Sequence, residues 1–211
     1  MSKAEILDVY RGRDPRELPA YGLVEAAHYL RLPEQTIRQW LYGRPLPSGR
    51  VSKPLVSPAS PRTHQLSFVN LLELHVLSAI RREHNVNMRK IRQAIDELER
   101  QFHSPHPLVD QEMLTDGTDI FVESIGNLVN LNQHGQYAMR ELLSAYLRRI
   151  ERDEEGLAVR LYPFTRRLGE DTPRLIAIDP RVAFGRPVIA GTRIPTAEVA
   201  ERFKAGDSID D

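Results

Sequence analysis

Gln35, Thr36, Arg38, Gln39 and Tyr42 lie within eight residues of one another, and each side chain can make directed hydrogen bonds. Arginine can donate a bidentate pair to guanine O6 and N7, and glutamine can bond adenine. Hydroxyl groups suit phosphate oxygens. Arg44, Arg50, Lys53 and Arg62 follow, and their charges suit phosphates whatever the base sequence. A solvated helix face and a flexible basic loop could be built from the same residue types, so the reading depends on the elements that present them.

Two short helices are expected to present the first set. From Tyr21 to Tyr42 the sequence is YGLVEAAHYLRLPEQTIRQWLY, in which Leu23, Ala26, Ala27 and Leu30 recur at helical spacing. Pro33 then suits the first position of a second helix. That helix sets Ile37, Trp40 and Leu41 on one side and Gln35, Arg38, Gln39 and Tyr42 on others. Trp40 reads as core, because burial of its ring is a large apolar gain. Two helices so closely spaced make a helix-turn-helix. Residues 43–65 hold five of the fifteen prolines (Pro45, Pro47, Pro54, Pro58, Pro61), two glycines and the four basic residues, so an irregular wing or hairpin is expected.

Beyond the wing, Ser67 suits the N-cap of a helix running from Phe68 to about His84. Asn87 suits the cap of the next, where Met88, Ile91, Ile95, Leu98 and Phe102 form a narrow 3, 4, 3, 4 seam. Such a seam needs an apolar partner, and a second copy of the chain is one candidate. After Ser104-Pro105-His106-Pro107, Ile120–Val122 and Leu128–Leu131 flank Gly126-Asn127 and suggest a strand pair. A helix over about 136–152 and a strand over 157–162 follow, then a polar linker over 166–173. Residues 1–18 suggest a short helix or an arm.

Charge divides the chain. Residues 1–100 carry 16 Lys and Arg against 11 Asp and Glu, a net of +5, and residues 101–211 carry 13 against 18, a net of −5. A polyanion would meet the first half. With no cysteine, disulfides, thiolate nucleophiles and cysteine-bound zinc are excluded. His103 and His106 have a metal-like spacing but no acidic set to complete four ligands. No phosphate-binding glycine loop and no nucleophile elbow occurs. The expectation is a non-enzyme without metal or cofactor. No apolar run is long enough to span a bilayer and no secretion signal opens the chain, so a cytoplasmic location is expected.

Residues Val24, Ala27, Tyr29, Leu30, Thr36, Arg38 and Trp40 resemble the pattern of the MerR-type winged helix-turn-helix. At the other end stand Ile178-Asp179-Pro180-Arg181, Gly185-Arg186-Pro187-Val188-Ile189 and Gly191-Thr192-Arg193-Ile194-Pro195. These resemble a small domain of unknown function found among VapB-type antitoxins, which are encoded beside toxins of PIN-like nuclease fold. There the segment continues into a further helix-turn-helix, of which this sequence holds one helix and its turn. In the 191–193 turn Arg193 could grip a phosphate or a carboxylate, although a turn needing glycine and Pro195 explains the same residues.

The expected fold is mainly α with small β elements. It comprises a winged helix-turn-helix head with linking helices (1–103), a small α+β middle region (104–168) and a C-terminal unit (174–211). The resemblance implies a DNA-binding antitoxin that represses its own operon and neutralises a PIN-like toxin. A homodimer on operator DNA is expected from the way helix-turn-helix proteins read inverted repeats. The other function open to this sequence is a stand-alone MerR-like regulator with an effector pocket within 108–165. A third is an adaptor that has lost DNA binding.

Overall fold

The structure is a computed structural model and describes residues 10, 12–84, 87–110, 113, 116–129, 132–164 and 173–207. Most of the arm expected over 1–18 and nearly all of the linker expected over 166–173 lie outside these residues.

Helix α1 (Leu23–Leu30) buries Leu23, Ala26 and Leu30, and the Glu25 carboxylate accepts from the Gly22 N–H at 2.8 Å. Arg31 turns the chain in the left-handed region at φ 54°. Pro33 is extended, so it caps helix α2 (Glu34–Tyr42) rather than opening it as its first residue. The chain then runs through the wing and returns to pair with the start of α1, where Tyr21 and Leu66 form an antiparallel bridge.

Helix α3 (Phe68–His84) is the axis of the molecule. Every residue from Leu66 to Ile80 is buried, so over that stretch the helix is enclosed on all sides. Ser67 caps it as expected, its Oγ accepting from the Asn70 N–H at 3.1 Å. Helix α4 (Met88–Phe102) is capped by Asn87, whose side chain accepts from the Arg89 N–H at 2.9 Å.

Helix α5 spans Asp116–Val129, where the sequence suggested a strand pair. Gly117, Thr118, Phe121, Val122, Ile125 and Gly126 are buried, a period of three to four that belongs to a helix. Gly126 makes no turn. A Cβ there would overlap the Gln136 side chain of helix α6 (Gln133–Leu147), so the glycine lets two helices approach closely.

The apolar seam of α4 faces inward. Ile91, Ile95 and Leu98 are buried within one chain and α4 packs on α5, while α3 packs on α6. The seam therefore has its partner inside the protomer, and a dimer has to use another surface. One apolar core runs from Tyr21 to Ile178, continuous across the boundary expected at 103/104.

Helix α6 ends earlier than expected, and Ile150–Arg152 is strand β1, antiparallel to β2 (Ala158–Leu161). The C-terminal unit adds β3 (Ile176–Ala177) and β4 (Val188–Ile189), an antiparallel pair, then helix α7 (Thr196–Ala205). A bridge between Leu161 and Ile178 joins the two hairpins. Two further links fix the unit: Asp179, 2% exposed, pairs with Arg160 and Arg181 at 3.2 and 3.1 Å, and Tyr21 packs on the turn at Gly185. Among the described residues no helix is long and apolar enough to cross a membrane.

Two expectations follow from this core. Ile95→Glu should unfold the chain rather than split a dimer, because it buries an unpaired carboxylate. Ile95→Ala should cost about 3 kcal/mol in denaturant melts, and a well-folded monomeric Ile95→Glu protein would show that the seam does face a second subunit. The second expectation concerns His106, whose Nδ1 lies 3.0 Å from Glu73 Oε1 of α3. Burial alone would lower the His106 pKa, but the hydrogen bond and charge of Glu73 outweigh it and the net shift is upward. A raised folded value means that this stabilisation is complete below the unfolded value, about 6.5. It is lost as the pH rises through the folded value. Burial also raises the Glu73 pKa, which acts in the same direction. The melting temperature should fall as the pH rises above about 6.5, and His106→Gln should flatten that slope. An equally steep slope in His106→Gln would assign the titration to another group.

Candidate nucleic-acid interface

The inner side of α2 is fixed first. Thr36, Ile37, Trp40 and Leu41 are buried, with Trp40 2% exposed as its ring chemistry requires. Thr36, expected on the outer face, is 4% exposed and packs inward. It follows one residue ahead of Ile37 on a helix whose buried arc is wide enough to include both. The outward set is Gln35, Arg38 and Gln39, all exposed, with Tyr42 half-buried at the end of the helix.

Arg38 donates from Nη2 to Glu34 Oε1 at 2.7 Å, one turn earlier. Both side chains are more than two-fifths exposed, and such pairs contribute little to stability. The guanidinium is therefore oriented without being strongly held. The Tyr42 hydroxyl meets His64 Nδ1 at 2.9 Å with the rings edge to face. That contact ties the end of α2 to the loop carrying Arg62.

The wing is a small hairpin over 44–52. Pro45 bridges Val51, the Arg44 N–H donates to Ser52 Oγ at 3.0 Å, and the Ser52 N–H donates to the Arg44 carbonyl at 2.9 Å. Two N–H groups of its return, Leu55 and Val56, donate to the Trp40 carbonyl at 2.6 and 3.2 Å. These bonds satisfy a carbonyl that the end of α2 leaves free. Asn70 then holds the next loop, accepting from the Ala59 N–H at 2.9 Å and donating to the Ser57 carbonyl at 2.9 Å.

Gly43 makes the join between helix and wing possible. It has φ 77° and ψ −179°, a region essentially confined to glycine, and a Cβ would overlap the Ser52 carbonyl oxygen. Arg44, Arg50, Lys53 and Arg62 are all exposed. Lys53 Nζ lies 3.4 Å from Asp96 of α4.

The structure brings Gln39, Arg44 and Lys53 into one cleft of about 550 Å³ with Arg89 and Arg92 at the start of α4. Arg50, at the wing turn, and Arg62, in the following loop, stand outside it. The sequence reading missed Arg89 and Arg92 because they sit on a helix judged by its apolar seam. Burial lowers the Arg92 pKa, opposed by Asp96 and Glu99. Among the described residues no group of three or more His, Asp or Glu side chains could hold a metal ion.

Comparison with known proteins adds to this geometry. Residues 19–95 match a family described as "Putative DNA-binding HTH domain", and residues 176–211 match "Protein of unknown function (DUF433)". The chain is similar to "Putative antitoxin VapB45" of Mycobacterium tuberculosis, 32% identical over 209 residues, covering 90% of this chain and 84% of that one. It is also similar to the crystal structure of Rv2018 from Mycobacterium tuberculosis, with TM-score 0.64 and 26% identity over 90% of this chain and 88% of that one.

Gly43 provides the test of how the site is assembled. Gly43→Ala should lower stability by about 1–3 kcal/mol through backbone strain and displace the wing from α2. Thermal melts together with amide exchange at Leu55 and Val56 check both effects. Unchanged protection at these two amides would mean that the wing is held independently of Gly43.

Proposed function

The chain belongs to the family of the VapB45 antitoxin, and on that footing we propose that it represses its own operon and neutralises a nuclease toxin of PIN-like fold. The observation that carries the DNA half is the outward face of α2, with Gln35, Arg38 and Gln39 exposed beside a basic wing. A helix end of these dimensions fits the major groove, with arginine and glutamine to read base edges and the wing cations to hold phosphates. A homodimer places two such heads on an inverted repeat. The toxin half rests on kinship with a protein named as an antitoxin. It also draws support from the acidic surplus of residues 101–211, which a basic nucleic-acid groove would attract.

A second reading, a ligand-responsive regulator, draws on a cleft of about 460 Å³ in the middle region, bordered by Thr118, Asp119, Arg140 and Ser144. There Arg140 Nε donates to Asp119 Oδ1 at 2.5 Å, so the one carboxylate on its wall is already engaged, and Arg148 is the remaining cation. That pairing leaves the antitoxin as the better-supported function.

The test uses the full chain, because head and middle share one core. Arg38→Ala should weaken binding to the DNA upstream of its own gene by about 1–3 kcal/mol, with unchanged circular dichroism. Unchanged affinity would remove Arg38 from the interface. Co-purification with the product of a neighbouring toxin gene, and inhibition of its nuclease activity, checks the other half. Repression that instead responds to a small molecule, with no toxin partner, would favour the second reading.

A further inference from the structure

The cleft beside α2 contains more cationic chemistry than the wing alone supplies. Its walls bring together Arg44 and Lys53 from the wing, Arg89 and Arg92 from the first turns of α4, and Gln39 from the outward face of α2. Four cations converge there. Two acids face this group: Asp96, which is engaged with Lys53 at 3.4 Å, and Glu99 further along α4. Arg92 is the informative member. Arg92 is half-buried and borders the cleft, and its Nη2, tucked inward without a hydrogen-bond acceptor among the described residues, reaches a phosphate once the guanidinium turns toward the opening. A guanidinium nitrogen without an acceptor is unfavourable, and an anion drawn into the cleft would complete it. Asn87 meanwhile caps α4 by accepting from the Arg89 N–H, so the helix start needs no outside ligand for that group. The start of the helix also carries the positive end of its dipole, which adds to the cationic field.

We propose that this cleft is a phosphate-binding site, and that the phosphate it takes is a backbone phosphodiester of the bound duplex, with Arg92 and Arg89 as its inner donors. Arg44 and Lys53 close it from the wing. The inference rests on the DNA-binding reading and extends it from α2 and the wing to a third element, the start of α4. Continuity favours the duplex as the source. Gln39, Arg44 and Lys53 are exposed residues of the candidate interface and at the same time border the cleft. A strand passing α2 would bring a phosphate to the same opening. A free phosphorylated small molecule has the same chemistry, so the test separates the two.

The experiment compares full-length wild type with Arg92→Met, Arg89→Ala and Arg92→Lys on two duplexes of unrelated sequence. Anisotropy is followed over a range of salt concentrations. Arg92→Met and Arg89→Ala should each weaken both duplexes alike, about 3- to 10-fold, and make the plot of log affinity against log salt shallower by about 0.9. Arg92→Lys keeps the charge and should restore the slope. The melting temperature of Arg92→Met should stay level or rise, because it removes an unsatisfied buried donor, whereas a merely structural arginine would lower it. Slopes in Arg92→Met and Arg89→Ala equal to that of a wild type that binds DNA would overturn this site and leave the DNA-binding reading standing. A wild type that binds neither duplex would overturn that reading as well. Pyrophosphate and dAMP are titrated in parallel by calorimetry. Saturable binding that Arg92→Met abolishes, with DNA slopes unchanged, would assign the cleft to a free phosphorylated ligand and overturn the duplex as its source.

Discussion

The enclosure of α3 on every side as far as Ile80 is the constraint from which the other elements take their positions. A helical stretch with no solvent face must find internal partners for whatever polar groups it carries. This one carries Ser67, Asn70, Glu73, His75 and Ser78, all buried. Ser67 and Ser78 bond locally, to the Asn70 N–H and the His75 carbonyl, and the other three are satisfied by different parts of the chain. Asn70 bonds the loop after the wing, Glu73 takes His106 from the segment after α4, and His75 meets the Tyr146 carbonyl of α6 at 3.1 Å. The Glu73 carboxylate is the most demanding, since a buried charge without partners would cost several times a neutral hydrogen bond. Asn70 and His106 both reach it, at 3.1 and 3.0 Å. These bonds set where the wing loop, the 104–110 segment and α6 can lie.

The interface inherits its geometry from that arrangement. The wing cannot drift from α2, because its return donates two N–H groups to the Trp40 carbonyl and its following loop is held by Asn70. Trp40 in turn is buried, so the outward residues of α2 are oriented by what lies beneath them. Charged side chains on the surface are left lightly engaged. Arg38 pairs with Glu34 and Lys53 approaches Asp96, both in high-dielectric surroundings where exchange for another anion is inexpensive. A rigid backbone carrying loosely held cations suits a surface that must trade solvent and internal partners for phosphates.

Local rules made the head legible in the sequence. The spacing of Leu23, Ala26 and Leu30, the proline between the helices, the Ser67 and Asn87 caps and the burial of Trp40 are all settled within a few residues, and the structure has them. What the sequence concealed depends on distant neighbours. Ile120–Val122 and Gly126-Asn127 have strand and turn propensities, yet they form α5, because packing on α4 and α6 rewards a helical period. The 3, 4, 3, 4 seam of α4 showed that a partner exists but not that α5 is the partner. Thr36 has the chemistry of a phosphate contact, and only the packing arc of α2 reveals that it is inside. That Arg89 and Arg92 border one cleft with Arg44 and Lys53 could not be read from the sequence, because the two pairs lie more than thirty residues apart in the chain.

The C-terminal unit shows how segments far apart in the chain meet. The Tyr10 hydroxyl donates to the Pro180 carbonyl at 2.9 Å, and Tyr21, at the mouth of α1, lies against Gly185 where no Cβ could fit. Ala183, Phe184 and Gly185 are consecutive residues at φ 49°, 56° and 79°, and left-handed conformations are unfavourable for the first two. Such a turn persists only if its surroundings over-determine it. Tyr21 provides part of that on one side and the Asp179 pairs with Arg160 and Arg181 provide it on the other. Phe184 is held outward with three-quarters of its surface exposed, and Ile194, Val199 and Phe203 are exposed on the same unit. The unit is thus anchored through its loops while α7 buries no residue of its own. Because Tyr21 also pairs with Leu66 at the base of α3, a shift of the 183–185 turn has to be met at the point where the helix-turn-helix joins the core.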